Sequence, residues 1–64
     1  MKIIIYAMTG KSKEKSSPKD IDRACEFLEK IMYFVDEKLN FEWTDVKGMA
    51  NGTMAVFESN VKTK

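Results

Sequence analysis

The sequence predicts an α+β fold, with elements in the order β-α-β-β forming a three-stranded sheet and one helix packed on one face. Three features indicate this fold: an apolar, β-branched run at the N-terminus, a long segment with apolar residues three and four apart, and two alternating segments separated by an Asn-Gly pair. The chain has 64 residues, which is enough for one small domain.

The first strand is predicted over residues 1–8 (MKIIIYAM), which are rich in β-branched and aromatic side chains and apolar on both faces. It stops at Thr9-Gly10. Residues 9–17 carry small and charged side chains without periodicity, so we expect a basic loop there.

A helix follows the loop. Ser17 is its predicted N-cap, Pro18 stands at the first helical position, and Asp20 falls where a capping box places an acidic side chain. Asn40 is the predicted C-cap. Apolar residues recur at helical spacing at Ile21, Ala24, Cys25, Leu28, Ile31, Met32, Val35 and Leu39.

Two further strands are predicted over residues 41–47, with Phe41 and Trp43 on one face, and over residues 53–58. The intervening GMANG supplies turn residues. Residues 59–64 (SNVKTK) are expected to form a frayed end. The pattern leaves open which strand lies in the middle of the sheet.

Composition excludes several classes of protein. The formal net charge is +1, histidine is absent and Cys25 is the only cysteine, so neither an intrachain disulfide nor a usual zinc site can form. The single thiol fits a reducing, cytoplasmic setting. The apolar run over residues 3–8 is too short for a signal sequence or a membrane span, so no membrane partner is expected.

The Gly10-Lys11-Ser12 triplet after the first strand raises the question of a phosphate-binding loop. That motif needs another glycine at position 5, where Ile5 stands, and a helix that begins at once, whereas Pro18 begins the helix later. Gly10 is therefore interpreted as the end of the strand.

Catalysis is not expected. The commonest general base is missing, Cys25 falls in the apolar stripe of the helix as a small hydrophobic residue, and no carboxylate falls on an apolar face. The sequence therefore predicts no catalytic residue, no cofactor and no metal site.

Two surfaces are candidates for partner contact. The first is an acidic helix face around an exposed aromatic, formed by Glu26, Glu29, Tyr33 and Asp36 together with Asp22 and Glu37. The second is the outer side of the sheet. If Ile3, Ile5 and Ala7 face the helix, then Ile4, Tyr6 and Met8 face outward, with Phe57 joining them. A plain solvated helix face, homodimerisation and strand addition at an open sheet edge remain alternatives.

A third surface is the lysine-rich loop. Lys11, Lys13, Lys15 and Lys19 stand against Glu14 alone, a local charge of +3. Lysines can contact a phosphate backbone, but the loop has no arginine for base recognition and no aromatic for stacking. A solvated surface loop is the simpler interpretation.

The chain resembles the DinI-like family of DNA-damage-inducible proteins in its MKIIIYAMTGK opening, the SSPKDID helix start, the LEKIMYFVDE segment and the VKGMANGTMAVF hairpin. The resemblance implies a small β-α-β-β-α protein of bacteria or their phages that binds the RecA filament. In that family an acidic second helix after the third strand carries much of the contact. SNVKTK does not resemble it, so no site residue is carried over.

We therefore predict a small non-catalytic regulator or inhibitor that binds another protein. The alternatives are a nucleic-acid-binding accessory protein that uses the lysine-rich loop, and a structural homodimer.

Overall fold

The computed structural model describes all 64 residues and confirms the predicted α+β fold. Its elements are the strand β1 (Lys2–Met8), the helix α1 (Pro18–Lys38) and the strands β2 (Phe41–Ala50) and β3 (Met54–Thr63). All strand pairs are antiparallel, and the sheet order is β1-β3-β2. The last strand in the chain is thus the middle strand of the sheet. No helix in the chain is both long and apolar enough to cross a membrane.

The helix begins as the sequence predicts. Ser17 accepts a hydrogen bond from the backbone N–H of Asp20 at 3.3 Å, and the Asp20 carboxylate accepts one from the Ser17 N–H at 2.8 Å. This reciprocal pair satisfies two N–H groups that the helix leaves free. At the other end Leu39 is the C-cap, and Asn40 adopts a left-handed conformation with φ 55°, which stops the helix one residue before the predicted cap.

The prediction of a frayed end over residues 59–64 is wrong. Residues up to Thr63 belong to β3, where Val61 pairs with Trp43 and is 5% exposed, and Ser59 is 3% exposed. Ser59 and Val61 share the face of this central strand that is turned toward the helix, so both are buried even though the segment is polar overall. The exposed Asn60 and Lys62 alternate with them and give the segment its polar composition.

The hairpin between β2 and β3 is also tighter than predicted. Residues 48–50 belong to β2, and the reversal occurs over residues 51–53. The Asn51 side chain accepts hydrogen bonds from the backbone N–H groups of Thr53 and Met54, both at 2.9 Å. This local bonding closes the turn in few residues, so the strands extend further than the turn-forming composition of GMANG indicates.

The edge strand β2 contains a bulge. Its pairing with β3 shifts between Thr44 and Lys47, and Asp45 has a φ of 52°. The Ser59 hydroxyl donates to the Thr44 carbonyl beside this irregularity, while the Thr44 hydroxyl donates to the Asn60 carbonyl at 3.1 Å. These two hydroxyl groups thereby form hydrogen bonds with backbone carbonyls beside the bulge, where the regular backbone pairing is interrupted.

The core lies between α1 and the inner face of the sheet and is small. Leu28 and Ala24 of the helix pack against Ala55 of the central strand, and only five of the 64 residues are buried. Phe57 contacts this cluster and pairs with Ile5, so it faces the helix; the prediction that it joins the outer face is wrong. Residues two apart in a strand lie on the same face, so Phe57 shares the inner face of β3 with the buried Ala55.

The predicted orientation of β1 is confirmed. Its burial alternates along the strand, with Ile3, Ile5 and Ala7 half-buried toward the helix and the residues between them exposed.

Candidate protein-binding groove

A groove of about 480 Å³ runs between α1 and the edge strand β2. Its walls come from one helix face and one strand, and its floor includes Phe57 of the central strand. The complete lining is Glu29, Met32, Tyr33, Asp36, Glu42, Trp43, Val46 and Phe57. It therefore combines an apolar surface with aromatic side chains and three carboxylates.

Trp43 fixes the geometry of the groove. Its indole Nε1 donates a hydrogen bond to the backbone carbonyl of Met32 at 3.0 Å. The alternation of β2 turns Trp43 toward the helix, and the hydrogen bond satisfies the polar end of a half-buried indole. A side chain held by both packing and a hydrogen bond provides a preformed contact surface.

Tyr33 forms the exposed rim. It is 75% exposed, more than any other large hydrophobic residue of the chain. An aromatic ring at the edge of an apolar groove offers a large contact area at a low cost in side-chain entropy.

The carboxylates of the groove differ in their partners. The Lys64 ammonium lies 2.6 Å from Asp36 Oδ1, and the Lys62 ammonium lies 3.7 Å from Glu42 Oε2. Glu29 forms no ion pair, so the rim beside Tyr33 retains a free negative charge. Two carboxylates of the groove are thus paired with ammonium groups, and the Glu29 carboxylate remains available to a partner.

Three of the residues that the sequence predicts as partner contacts lie together in this groove. Glu29, Tyr33 and Asp36 line the groove, whereas Glu26 is exposed on the helix outside it. The sequence prediction does not include the strand wall with Trp43 and Val46. The inward alternation of Phe41 and Trp43 was a usable signal for it, but the sheet order that places β2 at an edge beside the helix was not readable.

Tyr6 and Met8 belong to a different surface. They lie on β1, at the opposite edge of the sheet, and are 66% and 65% exposed. Together with Phe27 of the helix they line a second concavity at that edge. Apart from Glu26, the predicted contact residues therefore divide between the two edges of the sheet.

The lysine-rich loop is partly engaged within the fold. The Lys11 ammonium lies 3.1 Å from Asp20 Oδ1, and the stem of Lys13 lies over Gly52. The Ser17 backbone N–H and then the Lys11 ammonium hold the pKa of the Asp20 carboxyl below its ordinary value of 3.8. Lys15 and Lys19 form no ion pair and are exposed.

Comparison of the chain with protein-family models, curated proteins and solved structures gives no match. The resemblance to the DinI-like family therefore stays a prediction, based on the segments quoted above.

Proposed function

We propose that this protein is a small non-catalytic regulator or inhibitor that acts by binding another protein through the groove between α1 and β2. The observation that carries the proposal is the pairing of an exposed Tyr33 with a fixed Trp43 across an open apolar groove. Aromatic residues of this kind contribute much of the binding free energy at protein interfaces.

The charges of the groove indicate the chemistry of the partner. The free Glu29 carboxylate and the aromatic faces beside it suit an arginine or lysine side chain, through ion pairing and cation–π contact. The partner would thus present a basic side chain flanked by apolar residues. Lys64 and Lys62 of the chain itself already form ion pairs with two other carboxylates of the groove, Asp36 and Glu42.

Capture experiments with matched variants test this proposal. Glu29→Lys changes the charge of the groove, and Glu14→Lys makes the same change in charge on the loop. We expect Glu29→Lys and Tyr33→Ala to lose the captured partner, and Glu14→Lys to retain it. The proposal fails if a partner is captured equally by all of these folded variants.

More specifically, the resemblance to the DinI-like family favours a regulator of the DNA-damage response or a phage-encoded regulator. Its partner would then be a protein of the bacterial host. Purified RecA filaments are the first partner to test, because that family binds them. The same matched variants apply.

A further inference from the structure

The outer edge of β1 has a regular row of free backbone groups. The Val61 N–H donates to the Met1 carbonyl at 2.8 Å, and the Thr9 N–H donates to the Thr53 carbonyl at 2.9 Å. With the register of the two strands, these bonds show that odd-numbered residues of β1 exchange hydrogen bonds with β3. The N–H and C=O groups of the even-numbered residues therefore point away from the sheet.

The two edges of the sheet are not equally protected against pairing. β2 carries the bulge at Asp45 and three charged side chains, Glu42, Asp45 and Lys47, and such features oppose the addition of a further strand. β1 is regular over seven residues, contains no proline, and has Lys2 as its one charged residue. An unprotected apolar edge of this kind favours pairing with another chain.

We propose that two copies of the chain associate through antiparallel pairing of their β1 strands, centred on Ile5, to form a continuous six-stranded sheet. In this register the outward-pointing groups of Ile4 face those of Tyr6 in the second copy, and those of Lys2 face Met8. All even-numbered residues of the strand find a partner. Four facing pairs with two hydrogen bonds each form the new ladder.

Side chains favour the same register. Ile4 stands beside the partner copy's Tyr6 on the outer face, an aromatic and β-branched pair of the kind that stabilises sheets. Lys2 lies opposite Met8, so no like charges face each other, and the two lysines stand at opposite ends of the ladder. Registers centred on Ile4 or Tyr6 leave part of the edge unpaired.

Two exposed phenylalanines of the helix also support this association. Phe27 is 58% exposed and lines the concavity at the β1 edge, and Phe34, 56% exposed, lies two turns further along the same side of the helix. Pairing through β1 places both helices on one face of the joined sheet, on either side of the two-fold axis. The phenylalanines then face the space between the helices and lose contact with water. The groove at the β2 edge remains free, so this proposal is independent of the proposed function.

Sedimentation equilibrium of the purified protein tests the pairing, with Tyr6→Pro and Tyr6→Thr as matched variants. Proline removes an outward N–H without removing a bond to β3, whereas threonine keeps that N–H. We expect a doubled mass for the natural chain and for Tyr6→Thr, and the mass of one chain for Tyr6→Pro. A natural chain that is monomeric at micromolar concentration, or a folded Tyr6→Pro variant that is dimeric, would overturn the proposal.

A cross-linking measurement covers the case in which Tyr6→Pro does not fold. Facing residues at a non-hydrogen-bonded position have Cα atoms about 4.5 Å apart, within the range of a disulfide. In a Cys25→Ser background we expect Ile5→Cys to oxidise to a covalent dimer, and Met49→Cys at the other edge to remain largely monomeric. Equal yields for the two variants, or no dimer from Ile5→Cys, would overturn the proposed register.

Discussion

The ammonium group of Lys64, the last residue of the chain, lies 2.6 Å from the Asp36 carboxylate of the helix. The end of the central strand is thereby tied to the last turns of α1. The Lys64 N–H also donates to the Asn40 carbonyl at 2.9 Å. These contacts show that the C-terminal residues are part of the folded unit and help to form the acidic side of the groove.

Truncation after Glu58 should abolish cooperative folding. It removes half of the central strand, including the buried Ser59 and Val61, from a chain with only five buried residues. A domain of this size has a stability of only about 3–5 kcal/mol, which cannot absorb such a loss. Far-ultraviolet circular dichroism during heating measures the outcome. A control that lacks Lys64 alone should retain a cooperative transition, and a truncated chain that still unfolds cooperatively would refute the role given to the C-terminal residues.

Trp43→Phe should lower the free energy of unfolding by at least about 1 kcal/mol, because it keeps one aromatic ring but removes the hydrogen bond to the Met32 carbonyl and part of the packed indole. Urea denaturation followed by circular dichroism provides the measurement. Phe41→Tyr, on the same face of β2, is a control that removes no hydrogen bond of the chain. An unchanged urea midpoint for Trp43→Phe would show that the indole bond contributes nothing to stability.

The capping box should make stability depend on pH. The folded-state pKa of Asp20 is lowered, chiefly by the Ser17 backbone N–H and then by Lys11. The carboxylate therefore stabilises the folded state fully above its ordinary pKa of 3.8, and this contribution is lost as the pH falls through the lower folded-state value.

Asp20→Ala tests this dependence. The difference in melting temperature between the natural chain and this variant should be largest at neutral pH and should shrink as the pH falls from about 4 to 2. Asp22→Ala removes the same charge from a side chain that forms no ion pair, and should show a smaller and flatter difference. A difference for Asp20→Ala that stays constant over this range would contradict the assignment.

Nucleic-acid binding by the lysine-rich loop should be weak. Lys11 is paired with Asp20 and the stem of Lys13 lies over Gly52, but the ammonium groups of Lys13, Lys15 and Lys19 form no ion pair. Mobility-shift titrations of single- and double-stranded DNA at two salt concentrations measure this directly. Tight binding with a steep salt dependence, lost when Lys13, Lys15 and Lys19 are all replaced by alanine, would favour the nucleic-acid alternative instead.

Local sequence patterns predict the individual helix and strands, because the start of a helix and the alternation of a strand depend on neighbouring residues. The start of α1 follows from Ser17, Pro18 and Asp20, and the alternation of β1 follows from its strand geometry. The sheet order depends on pairing between distant segments, which no local pattern encodes. The prediction of a frayed end is wrong for this reason: the polar composition of residues 59–63 is typical of such an end, and only their central position buries Ser59 and Val61.

The same distinction applies to the candidate site. The helix contributes Glu29, Tyr33 and Asp36 on one face, and their helical spacing made that wall predictable. The opposite wall requires β2 to lie at a sheet edge beside that face. Trp43 could be assigned to the inner face of its strand from the sequence, but its position across from Tyr33 could not.

The most direct test of the proposed function is a titration of ¹⁵N-labelled protein with its captured partner, followed by two-dimensional NMR. We predict that the largest shifts occur at the Trp43 indole N–H and at the backbone amides of Glu29 and Tyr33, and that added salt weakens the binding. Shifts confined to β1 or to the lysine-rich loop, with the Trp43 indole unchanged, would contradict binding in the groove between α1 and β2.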